Sequence, residues 1–150
     1  MIASAFIAFL HHLAAFTLVG CVVYESIAYH QRMTAAEARR IQRADLIYGI
    51  SAGALLVVGL LRVFYFEKGL AFYGYSPFFW VKMAAFLAVG LLSIDPTLRY
   101  IRWNKTTPQG EAPVISDGEF MRTRLILRLE LIGLVVIMLS AAFMARGIGM

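Results

Sequence analysis

Four side chains stand out in an apolar sequence: His11 and His12, Arg62, and Lys82. An imidazole is the commonest side-chain ligand for metals and haem iron. A neutral lysine amine can ligate iron or take up a proton. An arginine guanidinium grips a carboxylate through two parallel N–H donors. Lys82 sits inside SPFFWVKMAAF, residues 76–86, which otherwise reads as the opening of a membrane helix. Ionisable groups at such places are costly and usually face a protein interior or a cavity. Their chemistry therefore depends on the elements that hold them.

Composition names the solvent of those elements. The 150 residues are 61% hydrophobic and 15% charged, more apolar than a soluble domain of this size can bury. The class is all-α, an integral membrane four-helix bundle in one domain. The single cysteine, Cys21, excludes an intrachain disulfide framework, and no C-x-x-C-H motif offers covalent haem attachment. The opening MIASAFIAFL lacks a basic n-region and reads as a retained first helix, not a cleaved signal. The net charge of +5 lies in loops and helix ends, where it orients a membrane protein; nucleic acid is not an expected partner. The expected partner is the lipid bilayer.

A span needs about 20 mostly apolar residues. Four segments qualify, at about 2–29, 45–66, 76–99 and 125–146. Arg32, Arg39, Arg40 and Arg43 follow the first span. Arg99, Arg102, Lys105, Arg122, Arg124 and Arg128 lie around the connection between the third and fourth. The intervening loop holds only Lys68, balanced by Glu67. The positive-inside rule places the arginine-rich loops in the cytoplasm and both termini on the periplasmic side of a bacterial inner membrane. On the outer side Phe64, Tyr65, Phe66, Phe72, Tyr73, Tyr75, Phe78, Phe79 and Trp80 form an interfacial belt or, in a rival reading, a lid. Pro108, Gly110, Pro113 and Gly118 mark a flexible connection, with Ser116 or Asp117 capping the last helix. Asp95-Pro96 predicts a kink or an end in the third helix.

This orientation gathers the basic groups. Measured from each outer end, the histidines lie roughly 13–15 Å deep, Lys82 roughly 9 Å and Arg62 roughly 6 Å. Like charges repel in a low dielectric, so neutral side chains or an anionic or metal-containing ligand is expected among them. Arg62 shares a stripe with Tyr48, Ser51 and Leu55; Lys82 shares one with Val89, Ser93 and Tyr100. His11 lies on the face of Glu25 and Tyr29, with the small Ala14 and Ala15 beside it; His12 lies a step round. Both histidines cannot face the centre, and spacing alone leaves the choice open. On the inner half, Glu25, Asp45, Asp95, Arg99, Arg128 and Glu130 predict inter-helix ion pairs, with a proton path as the lesser alternative.

LHHLAAF at Leu10–Phe16 and FWVKMAAFLAVGLLS at Phe79–Ser93 resemble the histidine-bearing and lysine-bearing helices of the J-type protoporphyrinogen oxidases. Glu25 and Ser26 stand where that family carries an arginine-rich stretch. The resemblance implies a haem b site with His12 as the expected iron ligand and His11 as the alternative. Lys82 is then the opposite ligand or the catalytic proton-handling group, and Arg62 holds a propionate. In its enzymatic form, a membrane oxidoreductase passes electrons from a tetrapyrrole to quinone. LLRVFYFEKGLAFYGYSPFFWVKM and LLSIDPTLRYIRW more closely resemble a set of uncharacterised bacterial four-helix membrane proteins with a domain of unknown function. The helix layout is also similar to CopD-type copper-resistance proteins, which keeps copper handling by His11, His12, Met83, Met144 or Cys21 as an alternative. A third reading is a structural or accessory subunit without a cofactor, in a larger membrane complex or a homo-oligomer.

Overall fold

The computed structural model describes residues 2–66, 74–106 and 110–148, and all its regular structure is helical. The elements are α1 (Ile2–Ala28), α2 (Ala35–Leu61) with a π-helical extension (Arg62–Phe66), α3 (Pro77–Thr106) and α4 (Asp117–Ala145). All four are long and apolar enough to cross a membrane. Glu67 and Lys68 of the expected outer loop, Phe72 and Tyr73 of the aromatic belt, and Pro108 of the connection lie outside the described residues.

Local chemistry explains the starts. Thr34 begins α2 with a reciprocal cap: its Oγ1 accepts from the Glu37 N–H at 3.2 Å, and the Thr34 N–H donates to Glu37 Oε2 at 2.8 Å. Pro77 opens α3, where a missing N–H costs nothing. Ser116 caps α4 by accepting from the Glu119 N–H at 3.3 Å, one of the two residues expected for that task.

Several helices outrun their apolar stretches. α2 begins at Ala35 and α4 at Asp117, because capped, charged first turns continue the helix beyond the hydrocarbon-facing part. α3 does not end at Asp95-Pro96 but continues to Thr106. Pro96 is fully buried, and neighbouring side chains hold the chain on either side of it. Thr97 Oγ1 donates to Asp45 Oδ1 of α2 at 2.7 Å, while Arg99 ties back to Asp95 at 2.8 Å. A membrane helix tolerates an interior proline where such neighbours support it.

The bundle consists of two close hairpins, α1 with α2 and α3 with α4. α1 also packs on α4, whereas α2 and α3 touch sparsely and leave a flank between the hairpins. Gly133 marks the tightest approach of α4 to α3: a Cβ there would collide with Val89 Cγ2. The core divides into two layers. One, at the arginine-rich end, joins Tyr29, Met33, Ile41, Tyr100, Trp103 and Leu127. The other, nearer mid-helix, joins Leu18, Val22, Tyr48, Val89 and Leu134. Large apolar side chains such as Phe16, Ile27, Ile50, Leu87 and Ile132 point outward, as lipid-facing residues must.

Candidate functional site

Three elements build the basic site. His11 comes from α1, Arg62 from the junction of α2 with its π-helical extension, and Lys82 from the second turn of α3. His11 and Lys82 are half-buried, and Lys82 and Arg62 are charged neighbours of His11. Gly59 makes room for the imidazole. A Cβ at that position would lie 3.5 Å from His11 Cε1 and 3.8 Å from Nδ1, so the ring rests close against the α2 backbone. His11 Nδ1 is buried and has no hydrogen-bond partner among the described residues. The Arg62 N–H reaches the Val58 and Gly59 carbonyls, and the wider winding starts at this residue. Such π-helical segments inside or at the end of α-helices occur frequently at functional sites.

The structure turns His11 inward and His12 outward, the reverse of the preference for His12 as the ligand. His12 is exposed, and its Nδ1–H donates to the Ala8 carbonyl at 2.6 Å. Adjacent helical residues differ by about 100° in direction, so only one of the two can look into the bundle. His11 continues the stripe of Leu18, Val22, Glu25 and Tyr29, all buried. Among the described residues, no three His, Cys, Asp or Glu side chains are placed together to hold a metal ion.

The outer aromatic segment has mixed roles. Phe79 is buried, Phe78 packs edge-on against Phe143 at 4.9 Å, and Trp80 Nε1 donates to the Gly74 carbonyl at 3.0 Å. Tyr65, Tyr75 and Trp80 are exposed.

The inner charges separate into two sets instead of one network of ion pairs. In the first, Arg99 holds Asp95 at 2.8 Å and Glu119 at 3.5 Å, and Arg122 reaches Asp95 at 2.8 Å. Of the residues expected to pair, Asp95 and Arg99 do so within α3, and Glu119 and Arg122 of α4, not among those expected, carry the pairing between helices. Arg128 is exposed. In the second set, Glu25, Asp45 and Glu130 are 3%, 9% and 2% exposed, and none of the described ion pairs reaches them. They come from α1, α2 and α4. Glu25 has Asp45 and Glu130 as charged neighbours, and Tyr100 of α3 faces the same space. One carboxyl oxygen of each glutamate lacks a hydrogen-bond partner among the described residues.

Reading the sequence counted these acids first as halves of ion pairs, with a proton path as the lesser alternative, and named none of them as a site residue. The available signal was directional: Glu25 shares the inward stripe of His11, and Tyr100 shares that of Lys82.

Two grooves mark the flank between α2 and α3. The outer one, of about 470 Å³, is apolar and includes Leu56, Trp80, Met83 and Leu87. The inner one, of about 930 Å³, runs from Arg39 and Arg43 past Gln42 and Asn104 to Asp45 and Tyr100. Neither is lined by His11, Arg62 or Lys82.

No curated protein and no solved structure matches the chain. A family model described as "Predicted membrane protein (DUF2214)" matches residues 3–149, almost the whole sequence, and the four apolar membrane-length helices agree with it. The chain belongs to that family of membrane proteins.

Proposed function

We propose that His11, Arg62 and Lys82 hold an anionic, flat redox cofactor of the haem b class, giving this membrane protein a redox role. The observation that carries this reading is the inward imidazole of His11, with its buried Nδ1 unpartnered and two cationic side chains from other helices facing it. The donor set fits: an imidazole for iron, and cations for propionates. Gly59 lets the His11 ring rest against the α2 backbone, and a side chain larger than a methyl group there would press on the imidazole. His11 takes the ligand role that the oxidase resemblance gave to His12. Arg62 and Lys82 bind and orient the carboxylates, and Lys82 can also hold or release a proton at Nζ. A bound haem supplies one-electron oxidation and reduction. Quinone as the electron partner fits the apolar outer groove, which would also accept a helix of a larger complex.

The test is an absorbance spectrum of protein purified from haem-replete cells, with and without dithionite. A Soret band is expected, lost in His11→Ala and kept in His12→Ala. A preparation with no Soret band overturns the reading. The arginine distribution supports insertion in a bacterial inner membrane with both termini outside. Alkaline-phosphatase fusions at the C-terminus should be active, and fusions after Arg43 inactive.

A further inference from the structure

We propose that Glu25, Asp45 and Glu130 form a proton-binding site, loaded from the arginine-rich end through the groove between α2 and α3. This site is separate from the basic site and needs no cofactor.

The geometry begins at the mouth of the groove. Arg39 and Arg43 are exposed there. Behind them Gln42 Nε2 donates to the Tyr100 carbonyl at 2.6 Å and to Asn104 Oδ1 at 3.1 Å, giving the groove a polar floor. Asp45 is the carboxyl that lines the groove, and Thr97 donates to it at 2.7 Å. Glu25 and Glu130 lie behind Asp45, on helices that do not line the groove.

The set is more than a concentration of acids, because unpartnered groups point into it. Tyr100 is 1% exposed, and its hydroxyl is directed toward Glu25 without completing a well-formed hydrogen bond among the described residues. Oε1 of Glu25 and Oε1 of Glu130 are in the same condition. Buried polar atoms of this kind call for a small polar occupant. The groups that face the set are Cys21 from α1, Tyr48 from α2 and Tyr100 from α3, none of them cationic. Arg99, in the adjoining layer, is already held by Asp95 and Glu119.

Three carboxylates in a protein interior repel one another and lose their hydration. A proton on a carboxyl oxygen removes a charge and adds a donor beside Oε1 of Glu25 and Oε1 of Glu130, which have no partner among the described residues. A metal ion could serve the same end, but the three carboxyls are not placed to hold one. The proton is therefore the occupant that the arrangement favours. It arrives from water in the groove, binds first at Asp45, and passes to the glutamates behind. No bond other than O–H forms or breaks.

Infrared spectroscopy of the purified protein tests this. At neutral pH the wild type should show the carbonyl-stretch band of protonated carboxylic acid, shifted in D₂O and lost as the pH is raised. E25Q and E130Q should each remove part of it, whereas Asp95→Asn should leave it unchanged. Dicyclohexylcarbodiimide, which reacts with protonated carboxyls in apolar surroundings, should label Glu25 or Glu130 and spare Asp95 on peptide mapping. Thr97→Leu, which narrows the groove, should slow the D₂O shift. Absence of the band in the wild type overturns the proposal, and that measurement requires no variant to fold. Loss of the band on replacing potassium with sodium at fixed pH also overturns it, in favour of a cation site. Neither readout involves haem, so this proposal and the redox reading stand or fall separately.

Discussion

The two ends of the bundle solve the problem of buried charge in opposite ways. At the arginine-rich end, Asp95, Arg99, Arg122 and Glu119 neutralise one another across α3 and α4, beside an aromatic layer. Tyr29 stacks on Trp103 with planes 5° apart, and Tyr100 lies 5.0 Å from Trp103. At the other end, His11, Arg62 and Lys82 bring like-signed groups together against a glycine. Opposite charges next to packed aromatics stabilise a structure. Basic groups from three elements drawn together inside the membrane-spanning part are costly to hold, and functional sites are where such costs are commonly tolerated. The acidic set of Glu25, Asp45 and Glu130 stands close to the first end but behaves like the second. Nearness to a stabilising network does not make a charged group part of it.

If the aromatic layer is the structural anchor, damage there should be the most severe. Trp103→Ala removes a large buried ring and should cost about 3–5 kcal/mol, measured as a lower unfolding midpoint in detergent. Next comes the α3–α4 crossing. Gly133→Val puts a branched side chain where even a Cβ meets Val89, and overpacking of this kind typically costs about 1–3 kcal/mol. Gly133→Val with Val89→Ala should recover part of that loss. Recovery would show that the contact between the two residues is responsible.

The fold was legible because it rests on average properties: length of apolar runs and cap residues such as Ser116. What stayed hidden depended on direction and on partners. His11 and His12 are adjacent, and apolar periodicity in a helix wetted by lipid on one side and protein on the other does not separate them. Glu25, Asp45 and Glu130 looked like ion-pair halves because arginines occur at similar depth. Depth says nothing about azimuth, and Arg128 is on the exposed surface while Glu130, two residues on, is buried. Pro96 is a similar case: a local rule predicts an interruption, and tertiary contacts from Asp45 and Arg99 carry the helix through.

The two kinds of buried acid can be told apart by neutralising one of each. Asp95→Asn discards charge-assisted bonds to two arginines and should destabilise by about 1 kcal/mol, since those pairs are only partly shielded from solvent. Glu25→Gln removes no ion pair and relieves repulsion, so the unfolding midpoint should hold or rise. A fall after Glu25→Gln as large as that after Asp95→Asn would mean that Glu25 has a cationic partner and belongs with the stabilising set.

The smallest expected effect is the sharpest test of the basic site. His12→Ala removes one hydrogen bond from an exposed ring to its own helix and should change stability by less than about 0.5 kcal/mol. His11→Ala should also be mild, because its Nδ1 loses no partner, but it removes the only imidazole facing Lys82 and Arg62 among the described residues. The two substitutions are alike in chemistry and one residue apart. A difference in cofactor content or redox spectrum, at equal stability, can then come only from the direction in which each ring points. Gly59→Leu supplies the converse: it keeps both histidines, pushes the His11 ring from its place against α2, and should reproduce the His11→Ala spectrum.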